Sequence, residues 1–377
     1  MKINENELRD KIIAALKSQG FAINPHLRPK NDEKDTIKRI HEQKRKEQLK
    51  FHKNFLITNF ELIKKYSISG KEIDPENIEI KLIEVSANSV YSKIFFWWNL
   101  IWWSIPYDKP IGRQMRFILW DKYHDAPFGL FCLQSPPLRS AMRDRFLGLN
   151  NRNVDYWVNQ SLYGQRIGAL PPYNDLLGAK MVVLSMTSNE VRELYANKYQ
   201  NTKTILKKRK IPNRLLFITT TSAYGKSSVY ERIKYKGEVV SQFIGFTSGA
   251  GTFHLPEDVY RECLQYLEQK GVDIKRGYGT GPSRKMKLIA KALRLLKIPT
   301  FSYHNIKRGY YLFSNVKNLR EVIRNNENPL WYDRPIDDLA RYWIKRWCIP
   351  RSKRIGRWRD FNADDFFKSV EKELETL

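Results

Sequence analysis

Arg113-Gln-Met115-Arg-Phe117-Ile-Leu119-Trp120, Asp121-Lys-Tyr-His-Asp125-Ala-Pro127 and Phe128-Gly-Leu-Phe-Cys-Leu133 form two apolar runs around a polar turn. This pattern predicts a β-hairpin, which Pro136-Pro137 ends. Downstream, Arg214-Leu-Leu-Phe-Ile-Thr-Thr-Thr221 is rich in β-branched residues and reads as a buried strand. A helix from Leu176 to about Tyr199 separates the two. Beyond lie a short helix from Ser227 to Ile233, a strand from Glu238 to Phe246, helices from Pro256 to Gln269 and Arg284 to Leu296, and a further strand within Thr300 to Phe313. Ile78 to Val85 alternates as a strand. The alternation predicts an α/β (α+β) fold, a mixed sheet with flanking helices.

Ser67-Ile-Ser-Gly70-Lys-Glu-Ile-Asp74-Pro75 reads as a linker, so the α/β domain is expected over 75–315. Residues 1–70 then form a basic helical N-terminal extension. In it Leu8, Ile12, Ile13 and Leu16 share a helical face closed by Gly20, and a long polar helix runs from Asn31-Asp32 to Tyr66 without Pro or Gly. Residues 316–377 form a basic Trp/Arg-rich C-terminal extension. Its run Arg341-Tyr-Trp343-Ile-Lys345-Arg346-Trp347 and Arg351-Ser-Lys353-Arg354-Ile-Gly-Arg357-Trp358-Arg359 interleaves cations with rings. Such a mixture suits phosphates and bases, while Trp343 and Trp347, four apart, also suit the core face of a helix.

The chain has 377 residues, 42% hydrophobic, which is enough for a buried core and excludes disorder throughout. Three distant cysteines, Cys132, Cys263 and Cys348, fit neither a disulfide framework nor a paired-thiol zinc site, and a reducing cytoplasm is the expected compartment. The N-terminus does not read as a secretory signal. The apolar run from Ile94 to Ile105 stops at Pro106, too short for a membrane span.

With 67 Lys and Arg against 40 Asp and Glu, the net charge is +27, which points to a polyanionic partner. The excess is localised: residues 1–70 carry +7, 198–236 carry +10, 270–310 carry +10 and 341–359 carry +8, against −8 for everything else. Lys207, Lys208, Arg209, Lys210, Lys226, Arg284, Lys285, Arg308, Arg351, Arg354 and Arg357 are the expected phosphate contacts.

After the strand ending at Thr221, Ser222-Ala-Tyr-Gly225-Lys226-Ser227-Ser228 resembles a phosphate-binding loop, but Thr220 stands where the first glycine is required. Two glycine clusters follow, Gly245-Phe-Thr-Ser-Gly249-Ala-Gly251 and Arg276-Gly277-Tyr-Gly279-Thr-Gly281. The second has the R-x-x-G-x-G form that wraps pyrophosphate in acyl-CoA-dependent N-acetyltransferases. Gly225, Ser227, Ser228, Gly249, Gly251, Gly279 and Gly281 are therefore candidate anion-binding positions, with purely structural turns as the alternative. No metal site or resident cofactor is expected. Asp144, Glu193 and His254 are the candidate catalytic groups of a phosphoryl-transfer reading, which would need Mg²⁺.

Gly112-Arg113 with Arg116-Phe117, the Arg143-Asp144 pair, Pro172-Tyr-Asn-Asp-Leu-Leu-Gly178-Ala-Lys180, Thr219-Thr-Thr-Ser-Ala-Tyr-Gly225-Lys-Ser-Ser-Val-Tyr230-Glu-Arg232 and Gly245 to His254 together resemble the DruA family of the bacterial Druantia anti-phage defence system. The resemblance covers about residues 90–315. It implies a cytoplasmic role against invading DNA alongside other Druantia proteins, one of them helicase-like; with no span in the sequence, no membrane partner is expected. The core is also distantly similar to an acetyltransferase, a likeness under which Tyr230 falls near the position of a tyrosine acid. A nucleic-acid-binding defence protein is the leading expectation, a DNA-directed nuclease the second and a CoA-dependent acyltransferase the third.

Overall fold

The hairpin predicted from residues 113–133 forms the centre of a seven-stranded sheet. In the computed structural model, residues 3–23, 26–110, 112–204, 207–249, 254–275, 284–298 and 304–377 are described. The strands are β1 (Ile80–Glu84), β2 (Gln114–Asp121), β3 (Ala126–Gln134), β4 (Ser161–Ala169), β5 (Phe217–Thr221), β6 (Gln242–Phe246) and β7 (Gly309–Ser314), ordered β6-β7-β5-β4-β3-β2-β1. Only β4 and β5 pair in parallel. A parallel pair needs a long crossover, and helices Gly178–Ser185 and Asn189–Tyr199 supply it. The mixed α/β architecture is the one expected.

Because strand side chains alternate between faces, β2 divides its apolar residues between two cores. Met115, Phe117 and Leu119 face the crossover helices and helix Ile336–Trp343, whereas Ile118 and Trp120 face helix Val90–Ile101. Both faces are covered, so these strands read as continuous apolar runs. The Trp-rich run is a buried helix: Trp97 and Trp98 are almost wholly enclosed, and Trp98 stacks on Phe366 with ring centroids 5.5 Å apart. No helix among the described residues is long and apolar enough to cross a membrane.

Three expected elements differ. The long polar helix is broken into Lys34–Phe51, Lys53–Thr58 and Phe60–Lys65. Asn59 Nδ2 donates to the Phe55 carbonyl at 2.9 Å, a local side-chain bond of the kind that interrupts helices. The bends leave Leu49, Leu56 and Ile63 all buried against the Trp-rich helix. The crossover helix is broken before Asn189, where Ser188 Oγ accepts from the Val191 N–H at 3.3 Å as an N-cap. Residues 227–233 form turns in place of a helix.

The terminal segments pack on the α/β core. Helix Glu5–Ser18 buries Leu8, Ile12 and Leu16 against helices Glu257–Gln269 and Arg284–Leu295. Helix Ala363–Glu375 joins the Trp-rich helix. Trp343 is fully buried, its ring 5.1 Å from Phe128 and its indole N–H on the Leu177 carbonyl at 3.1 Å, while Trp347 is half-buried.

Candidate nucleic-acid interface

Parallel strands β4 and β5 stay in register for only three pairs, Ser161 with Phe217, Leu162 with Ile218 and Tyr163 with Thr219. They then part. Thr220 Oγ1 still reaches back to the Gly164 carbonyl at 2.7 Å, and the Tyr163 and Thr221 hydroxyls lie 2.7 Å apart. Arg166 takes a positive φ of 53° as β4 turns aside. The chain after the Trp-rich helix lies along the freed edge: Trp102 Nε1 donates to the Ala169 carbonyl at 3.1 Å, and the Arg166 guanidinium donates to the Ile105 carbonyl at 2.7 Å and to that of Pro106.

The loop from Ser222 to Arg232 leaves the carboxyl end of β5 where β4 has turned aside. Gly225, with φ +40°, lets the chain double back. The Gly309 N–H donates to the Gly225 carbonyl at 2.7 Å and to Ser222 Oγ at 2.9 Å, which ties the loop to the start of β7. The Ser227 N–H donates to the Tyr311 hydroxyl at 2.9 Å, and Ser227 Oγ accepts from the Val229 N–H at 3.3 Å. Ser227 is thus engaged inside the loop, whereas Ser228 is exposed. Lys226 is half exposed, 3.8 Å from Glu231 and over the Phe243 ring at 4.6 Å.

The loop belongs to the 198–236 block, and the 341–359 block approaches it through Lys180. Lys180 Nζ donates to the Ser228 and Glu231 carbonyls at 3.1 and 3.3 Å while standing 5.6 Å from the Trp347 ring. Burial first, and Arg232 second, push its pKa down. The helical run from Ile336 to Arg354 thereby lies beside the loop, with Lys345, Arg346, Lys353, Arg354 and, just beyond it, Arg357 exposed. Arg351 Nε donates to the Asp175 carbonyl at 3.1 Å, the Arg357 guanidinium lies 3.4 Å from the Asp175 carboxylate, and Arg354 Nε donates to the Pro350 carbonyl at 3.1 Å.

The other two blocks reach the loop through Arg308 and Lys34. Arg308, immediately before Gly309, donates from Nη2 to His41 Nε2 of helix Lys34–Phe51 at 3.3 Å; its Nε is buried without a partner, and no carboxylate pairs with it among the described residues. Burial and then Arg308 push His41 down to about 3 and His304 to about 4, so both rings are neutral beside the guanidinium. Lys34 stands over the Tyr224 ring at 5.7 Å.

The remaining expected contacts are spread more widely. Lys207 and Arg209 pair with Asp155 at 3.0 and 2.5 Å, leaving the exposed Lys208 and Lys210 without a carboxylate partner among the described residues. Lys285 pairs with Glu257 at 3.0 Å, and exposed Arg284 donates to the Ile274 carbonyl. Gly249 accepts at its carbonyl from the His304 and Asn305 N–H groups at 2.9 and 3.1 Å, and a Cβ there would fall 2.6 Å from Asn305 Cα, so close backbone approach accounts for this glycine. Gly251, Gly279 and Gly281 lie outside the described residues.

The four candidate catalytic groups occupy separate surroundings. Asp144 accepts from buried Arg143 at 2.8 Å and from the Ser140 N–H at 3.0 Å, which uses both oxygens to hold a turn. Glu193 is exposed on the crossover helix. Tyr230 is buried, its ring 5.0 Å from that of Tyr311, and burial raises its pKa. His254 lies 3.2 Å from Glu47 of helix Lys34–Phe51, with burial as the main cause lowering its pKa. No group of three or more His, Cys, Asp or Glu side chains able to hold a metal occurs among the described residues.

A family model described as Druantia protein DruA matches residues 31–325. The chain belongs to the DruA family. A curated Druantia protein DruA from Escherichia coli (strain UMEA 4076-1) is 28% identical over 98% of this chain and 93% of its own length. No solved structure matches the chain. Membership supports a role in a Druantia anti-phage defence system and implies other defence proteins as partners.

Within the DruA match, the run from Thr219 to Arg232 supplies the end of β5 and the whole interface loop, and the run from Pro172 to Lys180 supplies the lysine that touches it. Lys180 ends the Pro172–Lys180 motif, but nothing in its local sequence marks it as the lysine that touches the loop. The meeting of His41, Lys34 and Tyr224 with this region depends on how helix Lys34–Phe51 docks, for which no local pattern exists.

Proposed function

We propose that the chain is the DNA-binding component of its Druantia system, gripping phosphates without base specificity on a face centred on the loop from Ser222 to Arg232. The observation that carries this reading is the junction itself: Lys180 touches the loop beside the C-terminal basic helix, and Arg308 adjoins it beside the N-terminal one. Four blocks that together carry +35 would otherwise repel, and a phosphate backbone offsets that cost through counterion release. The likeness to acetyltransferases rests on the order of elements from the hairpin at 113–133 to the strand at 238–246, and Trp102 and Arg166 fill the edge freed between β4 and β5 with the chain's own contacts. We assign the protein to the cytoplasm, working with a helicase-like partner that would act on the same DNA. The test is a salt titration of DNA binding by the purified protein. Affinity should fall steeply with log[salt], and a shallow dependence, or no binding near physiological salt, would sink the reading.

A further inference from the structure

We propose that the groove between the start of helix Lys34–Phe51 and the chain just beyond helix Val90–Ile101 takes one unpaired base of a single-stranded nucleic acid, stacked on Trp103. The proposal rests on the DNA-binding reading and narrows it to the single-stranded form. The groove encloses about 390 Å³; Trp102, Trp103 and Ser104 line one side, and Lys38, Arg39 and Arg45 with Asp35 and Glu42 line the other. That volume lies within the roughly 300–1,000 Å³ usual for small-ligand sites.

Its aromatic wall is fixed in advance. Trp102 is held by its bond to the Ala169 carbonyl and by edge contacts with Trp98 and Phe366, both at 6.4 Å. Trp103 is half-buried and lies on β4 at Gly168, where a Cβ would come 3.3 Å from its ring; the missing side chain is what lets the indole rest there. A ring already immobilised loses little entropy when a base stacks on it.

The opposite wall carries three cations, Lys38, Arg39 and Arg45, set among the carboxylates of Asp35 and Glu42. Arg39 is exposed and has no carboxylate partner among the described residues, and Lys38 is engaged only by the highly exposed Asp35 at 3.1 Å, a surface pair easily exchanged for phosphate. Arg45 is committed to Glu373 at 2.6 Å and Glu42 to Lys46 at 2.7 Å. Rings interleaved with cations are the means by which single strands are held, because every base has a stacking face, whereas bases inside a duplex are already stacked. The groove also adjoins the interface loop: Ser104 Oγ and the Tyr224 hydroxyl lie 2.8 Å apart, so a strand crossing the loop reaches it directly.

The experiment compares a fluorescent (dT)12 with an abasic 12-mer of identical phosphate count, by anisotropy. Wild-type protein should bind (dT)12 about tenfold more tightly, as expected for one stacked base. Trp103→Leu should bring (dT)12 to the abasic level with an unchanged salt slope, and Trp103→Phe should keep most of the difference. Equal binding of the two oligomers by wild-type protein overturns the base pocket and leaves the phosphate reading standing. Binding of neither overturns both. The wild-type comparison decides the matter even if a variant fails to fold.

Discussion

The Gly309 N–H donates to the Gly225 carbonyl at 2.7 Å, and this bond between two glycines holds the first residue of β7 against the interface loop. A Cβ on Gly309 would stand 2.8 Å from that same carbonyl oxygen and 3.0 Å from the Tyr311 ring. Gly309→Ala should therefore push the loop away, costing about 1–3 kcal/mol in chemical denaturation and lowering DNA affinity together. Wild-type stability with wild-type affinity would show that the close approach is dispensable.

Gly70 joins the two ends of the chain. Its N–H donates to the Phe361 carbonyl at 2.8 Å, and an added Cβ would overlap the Trp358 carbonyl oxygen at 1.9 Å. Gly70→Ala should destabilise the protein by about 2 kcal/mol or more, since backbone on both sides must shift. Differential scanning calorimetry reads the result as a lowered Tm.

Asp144 is a structural partner of Arg143, a guanidinium with 0% of its surface exposed. Asp144→Ala strands that buried charge and should cost about 3–5 kcal/mol, as broken buried pairs do. Asp144→Asn should cost less and leave DNA affinity unchanged in protein that remains folded, as checked by anisotropy at 20 °C with circular dichroism in parallel.

Acid should weaken the fold near Arg308. His41 and His304 are depressed to about 3 and 4 in the folded chain, against about 6.5 when unfolded. Between those values the unfolded chain binds more protons, so stability is complete above about pH 6.5 and is lost progressively as pH falls towards 4. Denaturant midpoints at pH 7.5 and 5 measure the slope, and His41→Gln should flatten it.

Much of the fold was legible because it is written in local patterns. The β2–β3 hairpin is two apolar runs around a polar turn, and the β5 run is β-branched and bounded. The breaks at Asn59 and Ser188 were not legible, since each depends on whether a side chain caps or interrupts a helix that its neighbours also favour. The turns at 227–233 were missed for a different reason: Tyr311, more than eighty residues away, captures the Ser227 N–H. For the interface, composition located the positive blocks and the motif located the loop. Their meeting through Lys180 and Arg308 is a tertiary relation, and so are the neutral histidines beside Arg308.

The most direct test of the central claim is the slope of log Kd against log[salt] for wild-type protein and for Lys226→Gln/Arg308→Gln. If these two cations meet phosphate at the loop, the wild-type slope is steep and the double variant is shallower by about 1.4, or 0.7 per lost single-strand phosphate contact. Identical slopes for the two proteins, or a shallow wild-type slope, would contradict a phosphate-binding face centred on the loop from Ser222 to Arg232.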